Sequence, residues 1–254
     1  MRLVVGQISY LNSQPFYPLL IGEHRLIPTP PSELGRMASK GEIDAGILAT
    51  ADYLQCADRY EPVAGLGVAN HEEVRSILLA SQRPIAELNG AVVGVTEETS
   101  TSVRLLKLVL EVRHRVRPRA YHRGVRDEAD AFLVIGNEAL EQNVRPTLGF
   151  PHRYDLATEW WEWTGLPFVF ALWTIRRSLP ANVKQRFAEL LQRSLELGLS
   201  QIEEIASEFA GDLGRPEELS SYLRNFHYRL GPDEMRGLEE FRRLVLEHDL
   251  LKPI

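Results

Sequence analysis

Hydrogen-bonding side chains are concentrated in two short stretches of this sequence. The first, SYLN at 9–12, follows an apolar run near the start of the chain. The second, TSTS at 99–102, precedes a segment whose apolar residues have helical spacing. Helix N-termini leave backbone N–H groups unpaired and carry partial positive charge, so adjoining hydroxyls complete a neutral cradle for a carboxylate or phosphate. The chemistry that these stretches predict is the binding of a small anion.

Each stretch also has a purely structural interpretation. Asn12 and Ser13 can bond their own backbone in a turn, with Pro15 opening a helix. Thr99 or Ser100 can serve only as a helix cap. Four successive hydroxyls exceed what one cap requires, and SYLN follows a predicted strand. The residues alone leave both interpretations open.

Short apolar segments alternate with segments of helical spacing along most of the chain. This alternation is typical of an α/β fold with mainly parallel sheets. Because such folds bind ligands at the carboxyl ends of strands, Ala49 and Ser81 join the candidate residues. The predicted strands are 2–8, 44–49, 74–81, 91–96, 131–136 and 168–176, and the predicted helices include 32–42, 103–113, 180–209 and 216–250, the last with a break at 231–232.

Two α/β units followed by helices predict two lobes. The Asn89-Gly90 turn and the segment near Trp173–Arg176 are the expected crossings between them. Lobe 1 would then comprise 1–88 and 177–254, with a helical C-terminal part, and lobe 2 would comprise 89–176. The ligand is expected in the crevice where strands end.

Composition excludes several classes of function. The 254 residues carry a net charge of −6, which argues against a nucleic-acid partner. No stretch reaches the length of a membrane span, and no signal peptide is recognisable, so we expect a cytoplasmic protein without a membrane partner. A single cysteine fits a reducing compartment. The sequence contains no His pair with metal spacing, no Gly-rich phosphate loop and no GxSxG elbow, so neither a metal nor a cofactor is predicted.

Six segments, in this order, resemble the chorismate dehydratases of the futalosine route to menaquinone: GQISYLNSQPF, GEIDAGILATADY, EVRSILLASQRPIAEL, EETSTSVRLLKLVL, DAFLVIGNEAL and YDLATEWWEWTGLPFVFALW. The resemblance spans residues 3–176 and continues into the helical tail. It implies a two-lobed type II periplasmic-binding-protein-like α/β fold with a central ligand cleft. It also implies conversion of chorismate, an anionic dicarboxylate, to 3-[(1-carboxyvinyl)oxy]benzoate and water, without an organic cofactor or metal.

Two alternatives to this function stay open. One is a small-anion binding or sensor protein of the same fold, since fold alone does not give function. The other is an enzyme similar to dihydroxynaphthoate synthase, a sister family that carries His in an I-H-E segment. This chain has Gly136-Asn137 there, which favours the dehydratase. The dehydratases often have Asp where this chain has Asn137, which leaves a charged role of that position open.

The resemblance and the residue types together suggest roles for the candidate residues. The proton leaves ring carbon C3 and hydroxide leaves C4. Asn12, the candidate catalytic residue, is expected to orient the substrate and stabilise developing charge, because an amide does not act as a base near neutral pH. The base is either the substrate's enolpyruvyl carboxylate or one of Glu97 and Glu98. The candidate substrate-binding residues are Ser9, Tyr10, Ala49, Ser81, Thr99, Ser100, Thr101, Ser102 and Asn137.

Overall fold

The computed structural model describes residues 1–251 and contains two compact units, each with its own β-sheet. Unit 1 comprises Met1–Ala69 and Val169–Gly231. Unit 2 comprises Asn70–Phe168 and the chain from Pro232 onward. Each unit is therefore built from two separate stretches of sequence.

Eleven strands and nine α-helices are present among residues 1–251, and each predicted strand segment contains one of these strands. The strands are β1 (Val4–Gln7), β2 (Arg25–Pro28), β3 (Ala45–Ala49), β4 (Tyr60–Asn70), β5 (Ile77–Ser81), β6 (Val92–Val95), β7 (Ala120–Arg123), β8 (Ala131–Ile135), β9 (His152–Asp155), β10 (Phe168–Arg176) and β11 (His227–Arg229). The helices are α1 (Pro31–Lys40), α2 (Thr50–Cys56), α3 (Thr101–Lys107), α4 (Gly136–Val144), α5 (Leu156–Thr164), α6 (Ala181–Ser200), α7 (Ile202–Glu208), α8 (Pro216–Arg224) and α9 (Pro232–Glu247).

Local sequence explains where several helices begin and end. Helix α1 starts with Pro31, whose missing N–H would have no intrahelical partner, and stops at Gly41, which adopts a left-handed φ of +71°. Helix α3 continues into a π-helix at Leu108–Arg113, so the two together cover the predicted helix 103–113. The predicted helix 180–209 is interrupted at Gln201, between α6 and α7.

Unit 1 has a six-stranded sheet in the order β11-β4-β10-β3-β1-β2. Strand β1 is parallel to β2 and β3, whereas β10 runs antiparallel to β3 and β11 antiparallel to β4. The indole of Trp173, on β10, is fully buried and packs edge-on against Phe16 and Tyr17 at centroid distances of 5.5 and 6.0 Å. These rings form the core behind the first strand.

Unit 2 has a five-stranded sheet in the order β7-β6-β8-β5-β9. Strand β6 is parallel to β7 and β8, and β5 is antiparallel to both of its neighbours. All residues of β5, β6 and β8 are buried, as expected for strands covered on both faces. Both sheets are thus mixed, and the prediction of mainly parallel sheets is wrong, because a short apolar run does not encode the direction in which a strand enters its sheet.

The unit boundaries differ from the lobes predicted at 1–88 with 177–254 and at 89–176. The chain leaves unit 1 after Ala69 and returns after Phe168. The Asn89-Gly90 turn lies inside unit 2, where Asn89 Oδ1 accepts the backbone N–H of Arg117 at 2.9 Å and Gly90 N–H donates to the Arg117 carbonyl. It is therefore a turn before β6, not a crossing.

A third crossing, at Gly231-Pro232, places α9 in unit 2 instead of in the lobe predicted for it. Helix α9 packs so closely that a Cβ built on Gly237 would lie 1.9 Å from the Pro167 carbonyl oxygen. The Trp160 ring meets Phe168 at 5.3 Å and Phe241 of α9 at 6.2 Å, all in edge-to-face contacts. The amphipathic spacing of α9 predicted that it packs, but not on which sheet.

Candidate functional site

The SYLN stretch of unit 1 follows β1 and leads into a 3-10 helix at Leu11–Phe16. The Tyr10 carbonyl accepts the Ser13 N–H and the Gln14 side-chain amide, both at 3.0 Å. The Ser13 hydroxyl donates to Asn12 Oδ1 at 3.2 Å. These residues therefore form a turn, but Asn12 and Ser13 bond each other through their side chains instead of bonding their own backbone. Pro15 lies inside the 3-10 helix and does not open it, because the helix already begins at Leu11.

Two side chains of this stretch keep donors for a ligand. Ser9 is exposed and Asn12 is half-buried. Among residues 1–251, neither the Ser9 hydroxyl nor the Asn12 NH₂ group donates to a protein acceptor. The unit 1 stretch thus combines a backbone fixed by local bonds with neutral donors that are unused.

The end of β3 lies at the same edge of the unit 1 sheet as SYLN, because β1 and β3 are parallel with Gly6 beside Gly46. Ala49, the last residue of β3, is buried and precedes α2. The Thr50 hydroxyl donates to the Val169 carbonyl at 2.6 Å and so ties β3 to β10. The structure brings Ser9, Tyr10, Asn12 and Ala49 to one sheet edge.

The TSTS stretch of unit 2 follows β6 and opens α3. Its four side chains are all buried, with at most 8% of each residue exposed. Thr99 Oγ1 accepts the Val103 N–H at 3.1 Å, which is a capping bond. Ser100 directly precedes the helix, in an irregular backbone conformation with φ −125° and ψ −75°. The capping interpretation is therefore correct for Thr99. The hydroxyls of Ser100, Thr101 and Ser102 lie next to it at the helix start.

A buried arginine that the sequence analysis missed supports this stretch. Arg104 is 6% exposed, and its Nη1 donates to the Ser100 carbonyl at 2.8 Å. Its Nε donates to the Leu250 carbonyl at 3.1 Å. The guanidinium adds a full positive charge one turn beyond the partial charge of the helix N-terminus. This combination favours an anion near Ser100.

Asn137 lies at the same edge of the unit 2 sheet as TSTS, since β6 and β8 are parallel. It is half-buried in the first turn of α4. The preceding Gly136 has a φ of +62°, which a residue with a side chain would adopt only under strain, and its N–H donates to the Ser76 carbonyl at 2.8 Å. Gly136 therefore sets the turn that positions Asn137.

Ser81 does not join the other candidates of unit 2. Strand β5 is antiparallel to β8, so Ser81 pairs with Ala131 at the start of β8, the edge opposite to Asn137. Its hydroxyl donates to the Arg83 carbonyl at 2.7 Å within a local turn. The buried residue beside Gly136 is Ser76, at the other end of this segment. Ser76 belongs to the EVRS segment before the strand, but its place beside Gly136 follows only when the direction of β5 is known.

Asp155 is a half-buried carboxylate that the sequence did not reveal. It precedes α5, and its Oδ1 accepts the N–H groups of Ala157 and Thr158. Its Oδ2 accepts those of Val74 and Arg75 at 3.1 and 2.7 Å. Burial raises the pKa of this carboxyl to about 6, although the backbone N–H donors act in the opposite direction. Asp155 links the start of α5 to the segment that carries Ser76.

The other acidic candidates lie between β6 and α3. Glu97 is exposed and Glu98 is half-buried. Within residues 1–251, no group of three or more His, Cys, Asp or Glu side chains has an arrangement that could hold a metal ion. In the same range, no helix is long and apolar enough to cross a membrane.

Comparison with known proteins adds family information to this geometry. A family described as menaquinone biosynthesis matches residues 3–247. A chorismate dehydratase of Thermus thermophilus is 31% identical over 256 residues, covering 94% of this chain and 93% of the relative. The residues that the family matches, 3–247, include both polar stretches and helices α6 to α9.

Solved structures with a similar backbone share the fold. A protein from Archaeoglobus fulgidus has a TM-score of 0.79 and 18% identity, with 98% of both chains covered. The periplasmic aliphatic sulphonate binding protein of Escherichia coli has a TM-score of 0.64 and 14% identity, covering 98% of this chain and 88% of that chain. The predicted periplasmic-binding-protein-like α/β fold is confirmed.

Proposed function

The chain belongs to the menaquinone biosynthesis family, and from that premise we propose that it dehydrates chorismate to 3-[(1-carboxyvinyl)oxy]benzoate. The observation that carries the proposal is the similarity to a chorismate dehydratase along nearly the whole chain. The polar stretches of both units support it, since they offer neutral donors and a charge-backed cradle to an anionic substrate. The enzyme is then a carbon–oxygen lyase of the futalosine branch, acting in the cytoplasm.

The proposed reaction removes a proton from C3 of the ring and hydroxide from C4. Together these leave as one water, and the electrons of the C3–H bond form the third double bond of the aromatic ring. Aromatisation makes the elimination favourable, so the protein has to orient chorismate and stabilise charge that develops as hydroxide departs. Orientation and preorganised donors are the usual sources of such rate enhancement.

Unit 1 is proposed to supply the donors for the reacting part of chorismate. The unused NH₂ group of Asn12 donates to an oxygen that gains charge, and Ser9 and Tyr10 add contacts. Because the side-chain oxygen Oδ1 of Asn12 already accepts a hydrogen bond from the Ser13 hydroxyl, the orientation of the side-chain amide is fixed before the substrate arrives. This preorganisation is what a charge-stabilising donor requires.

Unit 2 is proposed to bind a carboxylate of chorismate. The hydroxyls of Ser100, Thr101 and Ser102 surround the start of α3, and the Arg104 guanidinium lies behind Ser100. Asn137 adds a neutral amide at the same sheet edge. Arg104 acts through Ser100 and is a positioning residue in this proposal.

The proposed base is the enolpyruvyl carboxylate of the substrate itself. Glu97 is exposed to solvent, so it does not lie in a water-excluded position of the kind that favours proton abstraction. Glu97→Gln and Glu98→Gln are therefore expected to retain turnover within about threefold, the range of small changes in surface charge. Loss of activity in either variant would show that the replaced glutamate is the base.

One alternative function has a specific observation in its favour. The structural similarity to a sulphonate binding protein supports a receptor or sensor that binds an anion without converting it. The sister enzyme is less well supported, because the position of its His is occupied by the turn glycine Gly136 and Asn137.

The test is to incubate the purified protein with chorismate, without added metal or cofactor, and to separate the products by chromatography with mass detection. A product lighter by one water and with aromatic absorbance is expected. Asn12→Ala and a heat-denatured sample are the controls. If the folded protein returns chorismate unchanged but binds it, the receptor function is correct; if it converts a cyclic futalosine derivative instead, the sister enzyme is.

A further inference from the structure

A pocket lined by several cationic residues lies in unit 1, at the sheet edge opposite to SYLN. Asp44 comes directly before β3, and Arg176 is the last residue of the antiparallel neighbour β10. Beside them is a pocket of about 420 Å³, which we name the basic pocket. It is lined by Lys40, Gly41, Asp58, Arg59, Tyr60, Arg176, Arg177 and Ser178.

The charge of the basic pocket is opposite to that of the chain. Four of its eight lining residues are cationic and only Asp58 is anionic, in a protein of net charge −6. Asp58 is largely exposed, and its Oδ1 lies 3.8 Å from Arg59 Nε, which is too far for a hydrogen bond. Asp58 therefore neutralises the pocket only weakly.

Carboxylates around the pocket do not cancel this charge. Asp44 pairs with Arg176. Glu61 is shared between Arg177 at 3.2 Å and Lys184 at 2.8 Å. With these neighbours included, five cations face three carboxylates, which leaves an excess of two positive charges.

Several donors of the pocket are unused among residues 1–251. Arg176 Nε is buried and has no hydrogen-bond partner. Lys40 Nζ and the Ser178 hydroxyl also lack a protein acceptor there. A buried N–H group without an acceptor is destabilising, and the oxygen of a bound anion would satisfy it.

The lining also restricts the chemistry of the ligand. Tyr60 is fully buried, and its hydroxyl donates to the Ile43 carbonyl at 2.8 Å, so its ring does not form an open stacking face. Arginine forks bind the tetrahedral oxygens of phosphate in bidentate fashion, and the two excess charges match a dianion.

We propose that the basic pocket binds a small phosphoryl anion, of the class of pyrophosphate or a phosphate monoester. This site is separate from the proposed dehydration, because it involves none of the candidate substrate-binding residues. Strand β3 begins beside the pocket, so an anion that binds only the folded protein raises the free energy of unfolding of unit 1 by mass action.

The experiment measures pyrophosphate binding by calorimetry and by the shift of the thermal unfolding temperature, at constant ionic strength set with chloride. Saturable binding with a raised unfolding temperature is expected. Lys40→Ala and Arg177→Ala are each expected to weaken binding about tenfold, the effect of losing one charge-assisted hydrogen bond. Arg25→Ala, which removes an exposed arginine of β2 outside the pocket, is the matched control and is expected to bind as the wild type does.

Other outcomes overturn the proposal. If pyrophosphate shows no saturable binding at millimolar concentration, the site does not exist. If Arg25→Ala weakens binding as much as the pocket variants do, the binding reflects the general charge of the surface and not the basic pocket. Citrate binding as tight as that of pyrophosphate contradicts the phosphoryl class, and binding of nucleic acid without pyrophosphate contradicts a small ligand. Displacement of pyrophosphate by chorismate, or its loss in Asn12→Ala, would transfer the binding to the SYLN stretch. Circular dichroism of Lys40→Ala shows whether a negative result reflects misfolding, and Arg177→Ala then provides the independent test.

Discussion

The polar stretches of the two units have similar composition and opposite construction. In unit 1, SYLN presents an exposed Ser9 and a half-buried Asn12 on a backbone fixed by local bonds, and their side-chain donors are unused among residues 1–251. In unit 2, the TSTS hydroxyls are buried and the Arg104 guanidinium stands behind them. Unit 1 thus offers neutral hydrogen-bond donors, whereas unit 2 places a positive charge next to its hydroxyls. We expect unit 1 to affect the chemical step and unit 2 to affect binding and stability.

The largest expected effect tests the charge in unit 2. Replacing Arg104 with Met leaves the Ser100 and Leu250 carbonyls without their donor, because Met has none. We expect a loss of about 3 kcal/mol in the free energy of unfolding, together with a strong rise in KM. Urea unfolding and chorismate kinetics measure both.

The matched variant for this position is Arg104→Lys. It keeps the charge and is expected to recover affinity for chorismate more than stability, since one ammonium does not reach all the acceptors. Equal KM for the Met and Lys variants would show that Arg104 has a purely structural role, and the contrast between the units would fail.

The next effect tests neutral donation in unit 1. Asn12→Ala is expected to lower kcat about 100-fold, the range found for loss of one charge-stabilising donor, with KM and stability nearly unchanged. Among residues 1–251, the Asn12 side chain bonds only the Ser13 hydroxyl, so little structure is lost. Steady-state kinetics and thermal unfolding separate the two effects.

Gln14→Ala is the control in the same stretch, because its side chain bonds the Tyr10 carbonyl and is assigned no contact with chorismate. We expect its kcat to remain close to that of the wild type. A fall in kcat as large as that of Asn12→Ala would mean that any disturbance of the turn disables the enzyme.

The pH dependence of the free energy of unfolding tests how strongly burial affects the carboxyl group of Asp155 in unit 2. The pKa of Asp155 is raised from 3.8 to about 6 in the folded protein, so the native state binds this proton more tightly than the unfolded chain does. The stability that the proton contributes is complete below pH 3.8 and is lost as pH rises through 6. Relative to Asp155→Asn, the wild type is expected to lose on the order of 2 kcal/mol between pH 4 and 7. Parallel pH profiles of the two proteins in urea unfolding would contradict this.

The smallest expected effect separates the cap from the cradle. Thr99→Val removes the hydroxyl that accepts the Val103 N–H and is expected to cost about 1 kcal/mol of stability with KM unchanged. Ser100→Ala is expected to raise KM with a smaller change in stability. If both variants shift only the unfolding temperature, the TSTS stretch is a cap and nothing more.

Local signals made much of the fold predictable. The uninterrupted run 168–176 is a strand from end to end, and Pro31 and Gly41 bound α1 as their backbone preferences require. Strand β4 was missed because Pro62, Gly65 and Gly67 interrupt its apolar pattern. The composition of a segment predicts whether it forms a strand, but not the direction of that strand. For this reason the sequence did not show that Ser81 lies at the sheet edge opposite to Asn137.

The candidate site was predictable only where the local pattern is sufficient. SYLN and TSTS stand out by composition, and Asn137 by its place after an apolar strand. Arg104 does not stand out in the sequence, because a single arginine in an apolar helical segment is normally exposed to solvent. Its burial depends on carbonyls of Leu250 and Leu251, about 150 residues further along the chain. Such contacts between distant segments have no local signal.

The position of α9 limits how this protein can be divided for study. Phe241 of that helix covers Trp160 and Phe168, so a fragment of residues 70–168 alone would expose large aromatic rings to water and would aggregate. A soluble half-protein has to restore the helix, for example by joining residue 168 to residue 232 through a short glycine-serine linker. Screening of ligands against one half at a time, or the exchange of halves between relatives, should therefore begin with a rejoined chain.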